Sequence, residues 1–300
     1  MRNESQENQL NMKANLLIII FSLIVGKVYC QDAKETQISI GHIEKIYSDH
    51  LQQERELYVH LPQSYSKKKE KKYPVVYLLD GESHFDYVSS MIKQLSAVNR
   101  NNVVPEMIVI GIKNINRWYD LTPEKDPFFN IETGNSVKFA DFIEFEVMPY
   151  INKKYRTKGG NTIIGHSLGG LFVIHTMINS PELFDNYLSI DPTLWWLSNK
   201  YLHLYLEKFD KIDYTNKKLY FAIANGLVPG TDIHSIRNDT TQASYHMRSM
   251  LTFKDDFHKQ SMNKLSIATK FYENETHGSL PLIATYDALR FFFSKQKEEQ

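Results

Sequence analysis

The sequence predicts an α/β fold with a mostly parallel central sheet and helices on both of its faces. Three observations carry that expectation. From Pro74 onward, short and almost wholly apolar runs alternate with longer amphipathic stretches, the pattern of strands buried on both faces. Thr162-Ile163-Ile164 ends at Gly165 and passes through His166-Ser167-Leu168-Gly169-Gly170 into Leu171–Met177, whose apolar residues recur at helical spacing. No repeat, low-complexity block or Pro/Gly linker divides residues 35–298, so the folded part reads as one domain, and 300 residues suffice for a large core.

Taken in order, the chain opens with a targeting pattern. Lys13 precedes the apolar run Leu16–Val25, which gives way to polar sequence near Cys30-Gln31-Asp32. A basic start, a short apolar stretch and a polar restart describe a secretory signal peptide, too short for a comfortable membrane span. The expectation is a signal over residues 1–30, with Met12 an alternative start, and a single domain over 31–300. A lipid anchor on Cys30 competes, although Tyr29 stands where a small residue is expected; an uncleaved anchor is a further alternative. Cleavage removes Arg2, Lys13 and Lys27 together with Glu4 and Glu7, tipping the balanced charge by one negative unit. It also removes the single cysteine, so the secreted or periplasmic protein holds no disulfide and no thiol chemistry. No stable membrane association is expected after cleavage.

Gln37–Ser48 and Arg55–Leu61 alternate in character and read as antiparallel strands. The lysine-rich Lys67–Lys72 between strand-like flanks reads as a solvated hairpin loop rather than a nucleic-acid patch. Lys+Arg and Asp+Glu are equal at 35 each, which leaves no global field for nucleic acid. The apolar runs Val75–Leu79, Met107–Ile110, Thr162–Ile164, Tyr187–Ile190, Leu219–Ile223 and Lys264–Ala268 predict six further strands. Helices are expected at Asp86–Ala97, Val137–Tyr155, Leu168–Asn179, Thr240–His258 and Pro281–Ser294, the last opened by proline. Two antiparallel strands, then a βα series with a tight turn after the fifth strand, match the α/β-hydrolase architecture.

That turn, Gly165-His166-Ser167-Leu168-Gly169, has the G-x-S-x-G layout of a nucleophile elbow, which lifts a serine hydroxyl clear of the sheet. Serine needs a base within reach. His277 follows the last expected strand and precedes the last helix, where this fold carries its histidine. His166 is expected to point away from the base as packing or cleft wall, His175 sits inside a helix, and His234 and His246 are weaker competitors. For the acid, Asp232 follows the strand Leu219–Ala224 and is favoured. Asp191 at the end of the preceding strand, Asp239 (equally a helix N-cap) and a Ser–His dyad remain open. Backbone N–H groups of Leu168 and of Gly81 or Glu82 are expected to form the oxyanion hole. Arg117, His166, Trp195 and Trp196 are the candidate substrate contacts; Arg117 paired with Asp120 as a loop brace, and Trp195-Trp196 buried in the core, are the alternatives. No His/Cys/Asp/Glu grouping has metal-ligand spacing and no phosphate loop is present, so no metal or cofactor is expected.

Together, Tyr77-Leu78-Leu79-Asp80-Gly81, the Gly111–Pro123 loop, Gly165–Gly170, Pro192-Thr193-Leu194-Trp195-Trp196 and His277-Gly278-Ser279 resemble the putative-esterase family of α/β-hydrolases. That family includes ferric-siderophore trilactone esterases, feruloyl and acetyl-xylan esterases and S-formylglutathione hydrolase, and the chain looks most like the siderophore-esterase branch. The resemblance spans roughly Arg55 to Phe293. It implies a serine carboxylic-ester hydrolase working through an acyl-enzyme on Ser167, acting on a small-molecule or glycan ester. Asp191-Pro192-Thr193 departs from the small polar residue expected at its first position, which keeps Asp191 in play. A feruloyl or acetyl esterase of polysaccharide is the first alternative, and a non-catalytic binding protein of the same fold is the second. Oligomeric state is not legible in the sequence.

Overall fold

The computed structural model describes residues 38–226, 233–260 and 264–293, with Glu7, Met12, Lys13 and Asn15 isolated ahead of them. The chain divides into two units, Met1–Ser39 and Ile40–Gln300. Apart from those four isolated residues, the expected signal segment lies outside the described residues. Among the described residues, no helix is long and apolar enough to cross a membrane.

The second unit is built on an eight-stranded sheet in the order β1-β2-β4-β3-β5-β6-β7-β8. The strands are β1 His42–Ser48, β2 Gln53–His60, β3 Val75–Leu78, β4 Ile108–Ile112, β5 Thr162–His166, β6 Asn186–Ile190, β7 Lys218–Ala224 and β8 Ser266–Tyr272. β1, β2 and β4 pair antiparallel, and every pairing from β4 through β3 to β8 is parallel. This is the α/β-hydrolase fold. The pleat sorts successive side chains to opposite faces: Val75, Tyr77 and Leu79 enter one apolar cluster, Val76 and Leu78 the other. Both clusters are closed by helices, which explains why these strands read as unbroken apolar runs.

The helices are α1 Gly81–Ser96, α2 Arg117–Leu121, α3 Ser136–Asp141, α4 Met148–Lys154, α5 Leu168–Asn179, α6 Lys200–Phe209, α7 Ile233–Ile236, α8 Tyr245–Gln260 and α9 Leu280–Phe293. Some expectations need correction; among them, the helix expected from Asp86 begins at Gly81 and the one expected from Thr240 begins at Tyr245. Lys67–Lys72 is solvated, but it closes no hairpin: β2 and β3 each pair with β4 instead. A fully buried parallel strand such as β3 needs a neighbour on each edge, and β4 and β5 supply them. The expected helix Val137–Tyr155 is interrupted by a π-turn at Phe142–Val147, where the Met148 N–H reaches Ile143 O. Pro149 follows at once, and its ring disfavours an ordinary α-turn behind it. The last strand begins at Ser266 rather than Lys264, because Lys264 adopts φ 62° in the preceding turn. Helix α6 was not expected; its start at Lys200 follows three consecutive residues of positive φ, Leu197 to Asn199, a turn without a glycine to announce it.

One buried ion pair fixes the loop that borders the site. Arg55 of β2 and Asp120 of α2 are fully buried and pair through two hydrogen bonds of 2.8 and 3.0 Å. The guanidinium lies over the rings of Phe139 and Phe142. The partner of Asp120 is therefore Arg55, and the Arg117–Asp120 brace is not formed. Anchoring Asp120 leaves Arg117, three residues earlier, free to turn toward the sheet end.

Candidate active site

β5 delivers His166 to the end of the sheet, and α5 begins two residues later. Between them Ser167 is held at φ 60°, ψ −116°, a conformation that non-glycine residues occupy only when the surroundings enforce it. The enforcement is visible. The Ser167 N–H donates to Ile190 O at 2.9 Å, and the Thr193 N–H donates to Ser167 O at 3.1 Å. A Cβ at Gly165 would lie 2.2 Å from the Gly169 carbonyl oxygen, and one at Gly170 would lie 2.9 Å from Ile190 O. The two glycines let strand, turn and helix close against each other. The serine hydroxyl oxygen lies 3.4 Å from Thr193 Oγ1.

His277 sits between β8 and α9, and its Nδ1 is 2.5 Å from Asp191 Oδ2. Asp191 follows β6 with φ 44° and is 1% exposed. Its Oδ1 accepts the Ala224 N–H at 2.8 Å, and its Oδ2 also meets His246 Nε2, at the start of α8, at 3.1 Å. Burial pushes this carboxyl up, but the bonds from His246, His277 and the Ala224 amide outweigh burial and hold it well below the usual carboxylate range. Asp232, the favoured acid of the sequence reading, lies outside the described residues. The His277 Nδ1 partner is Asp191. Asp239 turns its carboxylate to Thr241, whose N–H donates to Oδ1 at 2.8 Å and whose hydroxyl donates to Oδ2 at 2.9 Å; it serves local turn structure.

Ser167 and His277 line one cavity of about 300 Å³, together with His166, His84, Arg117 and Asp80. His166 does not point away from the base as expected. Its ring lies 4.4 Å from that of His277, tilted by 43°. Burial first, then the neighbouring His277 and His84, hold His166 down to about 4, so it is a neutral wall of the cavity near neutral pH. Arg117 donates from Nε to Asp80 Oδ1 at 2.6 Å, and from Nη2 to Asp80 Oδ2 at 3.0 Å and His166 O at 2.9 Å. It braces the elbow through Asp80 while lining the cavity. Asn114 Nδ2 adds a 2.7 Å bond to Asp80 Oδ1.

Gly81 and Glu82 open α1, and Leu168 opens α5, so their N–H groups precede the first intrahelical acceptors. A Cβ at Gly81 would stand 2.7 Å from the Gly111 carbonyl carbon; glycine here lets α1 meet β4. The tryptophans depart from expectation. Trp196 is fully buried, stacks on Phe129 at 5.3 Å and 4°, and donates from Nε1 to Glu124 O at 3.1 Å. It is a core residue, not a substrate contact. Trp195 is half-buried against Phe129, with ring centroids 6.3 Å apart, and neither ring lines the Ser167 cavity.

His84, Asp80 and Asn114 escaped the sequence reading as site residues; the available signal for Asp80 and Asn114 was their place just after β3 and β4, whereas His84 lies in the first turn of α1. Spacing also hid the convergence of Asp191, His246 and His277, whose ligand-type atoms lie within 4.8 Å of one another, because three separate elements supply them.

The α/β-hydrolase sheet presents a strained serine elbow that shares a cavity with a histidine held by a buried aspartate, an arrangement suited to serine-hydrolase chemistry. Residues 48–225 match the family described as "Putative esterase", and the chain belongs to that family. It is 34% identical over 141 residues to the ferri-bacillibactin esterase BesA of Bacillus subtilis, covering 41% of this chain and 49% of that protein. It is 31% identical over 140 residues to a siderophore enterobactin esterase of Emericella nidulans, covering 40% and 46%. The chain thus spans about half the length of the curated relatives it matches. An IroE-like serine hydrolase from Shewanella oneidensis superposes with a TM-score of 0.75 at 36% identity, covering 84% of this chain and 80% of that one.

Proposed function

We propose that this chain is an exported serine carboxylic-ester hydrolase whose substrate is a siderophore ester. The observation that carries the reading is Ser167, strained on its elbow, sharing a cavity with a His277 whose Nδ1 is held by Asp191. With Asp191 on Nδ1, the neutral ring keeps its proton there and offers the Nε2 lone pair as base. Ser167 attacks the ester carbonyl and His277 takes its proton. The N–H groups of Leu168 and of Gly81 or Glu82 hold the oxyanion. His277 then protonates the departing alkoxide, and water, activated by the same histidine, releases the acyl group from Ser167.

Substrate class is supported from two sides. Two of the relatives named above are a ferri-bacillibactin esterase and a siderophore enterobactin esterase. The cavity of about 300 Å³ is at the small end for ligand pockets, which suits one ester arm of a larger molecule. Burial of Trp196 removes half of the stacking platform that a feruloylated sugar would use. Export rests on the N-terminal pattern of residues 1–30. The test is a panel of p-nitrophenyl esters, siderophore trilactones and feruloyl sugars with Ser167→Ala as blank. Trilactone turnover above that of feruloyl sugar supports the reading; the reverse order overturns the substrate, and turnover retained by Ser167→Ala overturns the nucleophile.

A further inference from the structure

The acid of the site carries one histidine more than acyl transfer requires. Asp191 Oδ2 meets His277 Nδ1 at 2.5 Å and His246 Nε2 at 3.1 Å. Oδ1 is already taken by the Ala224 N–H, so both rings converge on a single oxygen. They meet edge to face with centroids 5.7 Å apart, and the three donor atoms lie within 4.8 Å of one another. Asp191 is buried, but the side chains of His246 and His277 are 31% and 49% exposed, which leaves an approach from solvent.

Two imidazoles and a carboxylate make up a common three-ligand set for zinc, with the fourth position open to water. We infer that Asp191, His246 and His277 form a binding site for a divalent transition-metal ion, of which Zn²⁺ is the best match, and that the ion switches off the ester hydrolysis proposed above. Metal bonds of about 2.0–2.1 Å in tetrahedral array set neighbouring ligand atoms about 3.3 Å apart. The two O···N separations, 2.5 and 3.1 Å, therefore widen by less than 1 Å to admit the ion.

The consequence for catalysis follows from the tautomer, and so rests on the reading of His277 as the base. Nδ1 binds the ion only through its lone pair, so the neutral ring must carry its proton on Nε2. That ring has no lone pair left to accept the Ser167 proton. His246 likewise binds through Nε2 and carries its proton on Nδ1. Starting from two neutral rings, each ring moves its proton to the other nitrogen and none is lost from the site: two N–H···O bonds give way to two nitrogen–metal bonds and one oxygen–metal bond, and a ring that begins protonated releases its extra proton to water.

The full chain is titrated with Zn²⁺ against a chromogenic chelator, and p-nitrophenyl acetate hydrolysis is followed with and without EDTA. His246→Gln retains an N–H for Asp191 but no imidazole, and His246→Ala retains neither; circular dichroism checks their folding. The expected result is one zinc per wild-type chain and at least a tenfold loss of hydrolysis at saturation, restored by EDTA. Both variants are expected to bind zinc at least about tenfold more weakly, each keeping its own metal-free rate when zinc is present. No stoichiometric binding by wild type, or undiminished affinity in His246→Gln, overturns the site. Binding without loss of hydrolysis overturns the switch. If wild type hydrolyses no ester, the switch falls with the esterase reading, while the chelator readout still decides the site.

Discussion

Asp191→Asn alters one atom of the site and is expected to remove most of its activity. The Ala224 N–H donates to Oδ1 at 2.8 Å, so the amide keeps its carbonyl oxygen there. Its NH₂ group then occupies the Oδ2 position, 2.5 Å from His277 Nδ1. A donor facing Nδ1 selects the ring tautomer with its proton on Nε2, which cannot accept from Ser167. Loss of the carboxylate charge acts in the same direction. An imidazolium about 4 Å from a carboxylate gains about 4 kcal/mol at an effective dielectric of 20, which corresponds to a rate factor of about 10³. The His277 side chain is 49% exposed, which trims that figure, whereas the Asp191 side chain at 2% sustains it. The expected fall in kcat/KM for p-nitrophenyl acetate is about 10²- to 10³-fold, measured on protein whose urea midpoint shows it folded. A loss below about tenfold would refute the assignment of Asp191 as the acid. Asp232→Asn runs beside it: a large loss there, with little in Asp191→Asn, returns the role to the residue favoured by sequence.

Three further perturbations test how the fold holds the site. Gly165→Ala places a Cβ 2.2 Å from the Gly169 carbonyl oxygen, where neither backbone can yield; we expect urea unfolding to show a loss of about 2–3 kcal/mol. Arg55→Met strands a fully buried Asp120 carboxylate and is expected to cost about 3–5 kcal/mol, most of it recovered in the Arg55→Met/Asp120→Leu double variant; no recovery would contradict the buried-pair account. His175 is buried, meets Tyr205 Oη at 2.9 Å, and is held down to about 4 mainly by burial. Its folded value lies below the unfolded one, so its contribution is full above about pH 6.5 and is lost as pH falls toward 4. His175→Gln does not titrate, and its stability is expected to fall less over that interval by on the order of 2 kcal/mol; parallel curves would rule the contribution out.

Most of the architecture was legible because the parallel strands are buried on both faces and so read as unbroken apolar runs, as in Val75–Leu78. The elbow was legible for a different reason: Gly165 and Gly170, the two glycines that close approach requires, flank the same short turn, so the constraint is local. The same holds for α5, whose range Leu168–Asn179 coincides with the sequence expectation. What sequence left open depends on distant partners. Asp191 reaches His277 only because a positive φ turns it inward after β6, and its partner lies 86 residues later. Arg55 and Asp120 are 65 residues apart, so a local Arg117–Asp120 pair was the nearer but wrong choice. The His166 ring lies against that of His277, which enters the site after β8, and no pattern around His166 records that neighbour.

Ester hydrolysis by this site requires Ser167 as nucleophile and His277 as its base. Intact-mass and peptide mass spectrometry after exposure to a fluorophosphonate probe tests it most directly. A single adduct is expected on the Ser167 peptide, absent in Ser167→Ala and slowed by about 10³-fold in His277→Ala. Folded wild-type protein without an adduct, or an adduct on another residue, would contradict it.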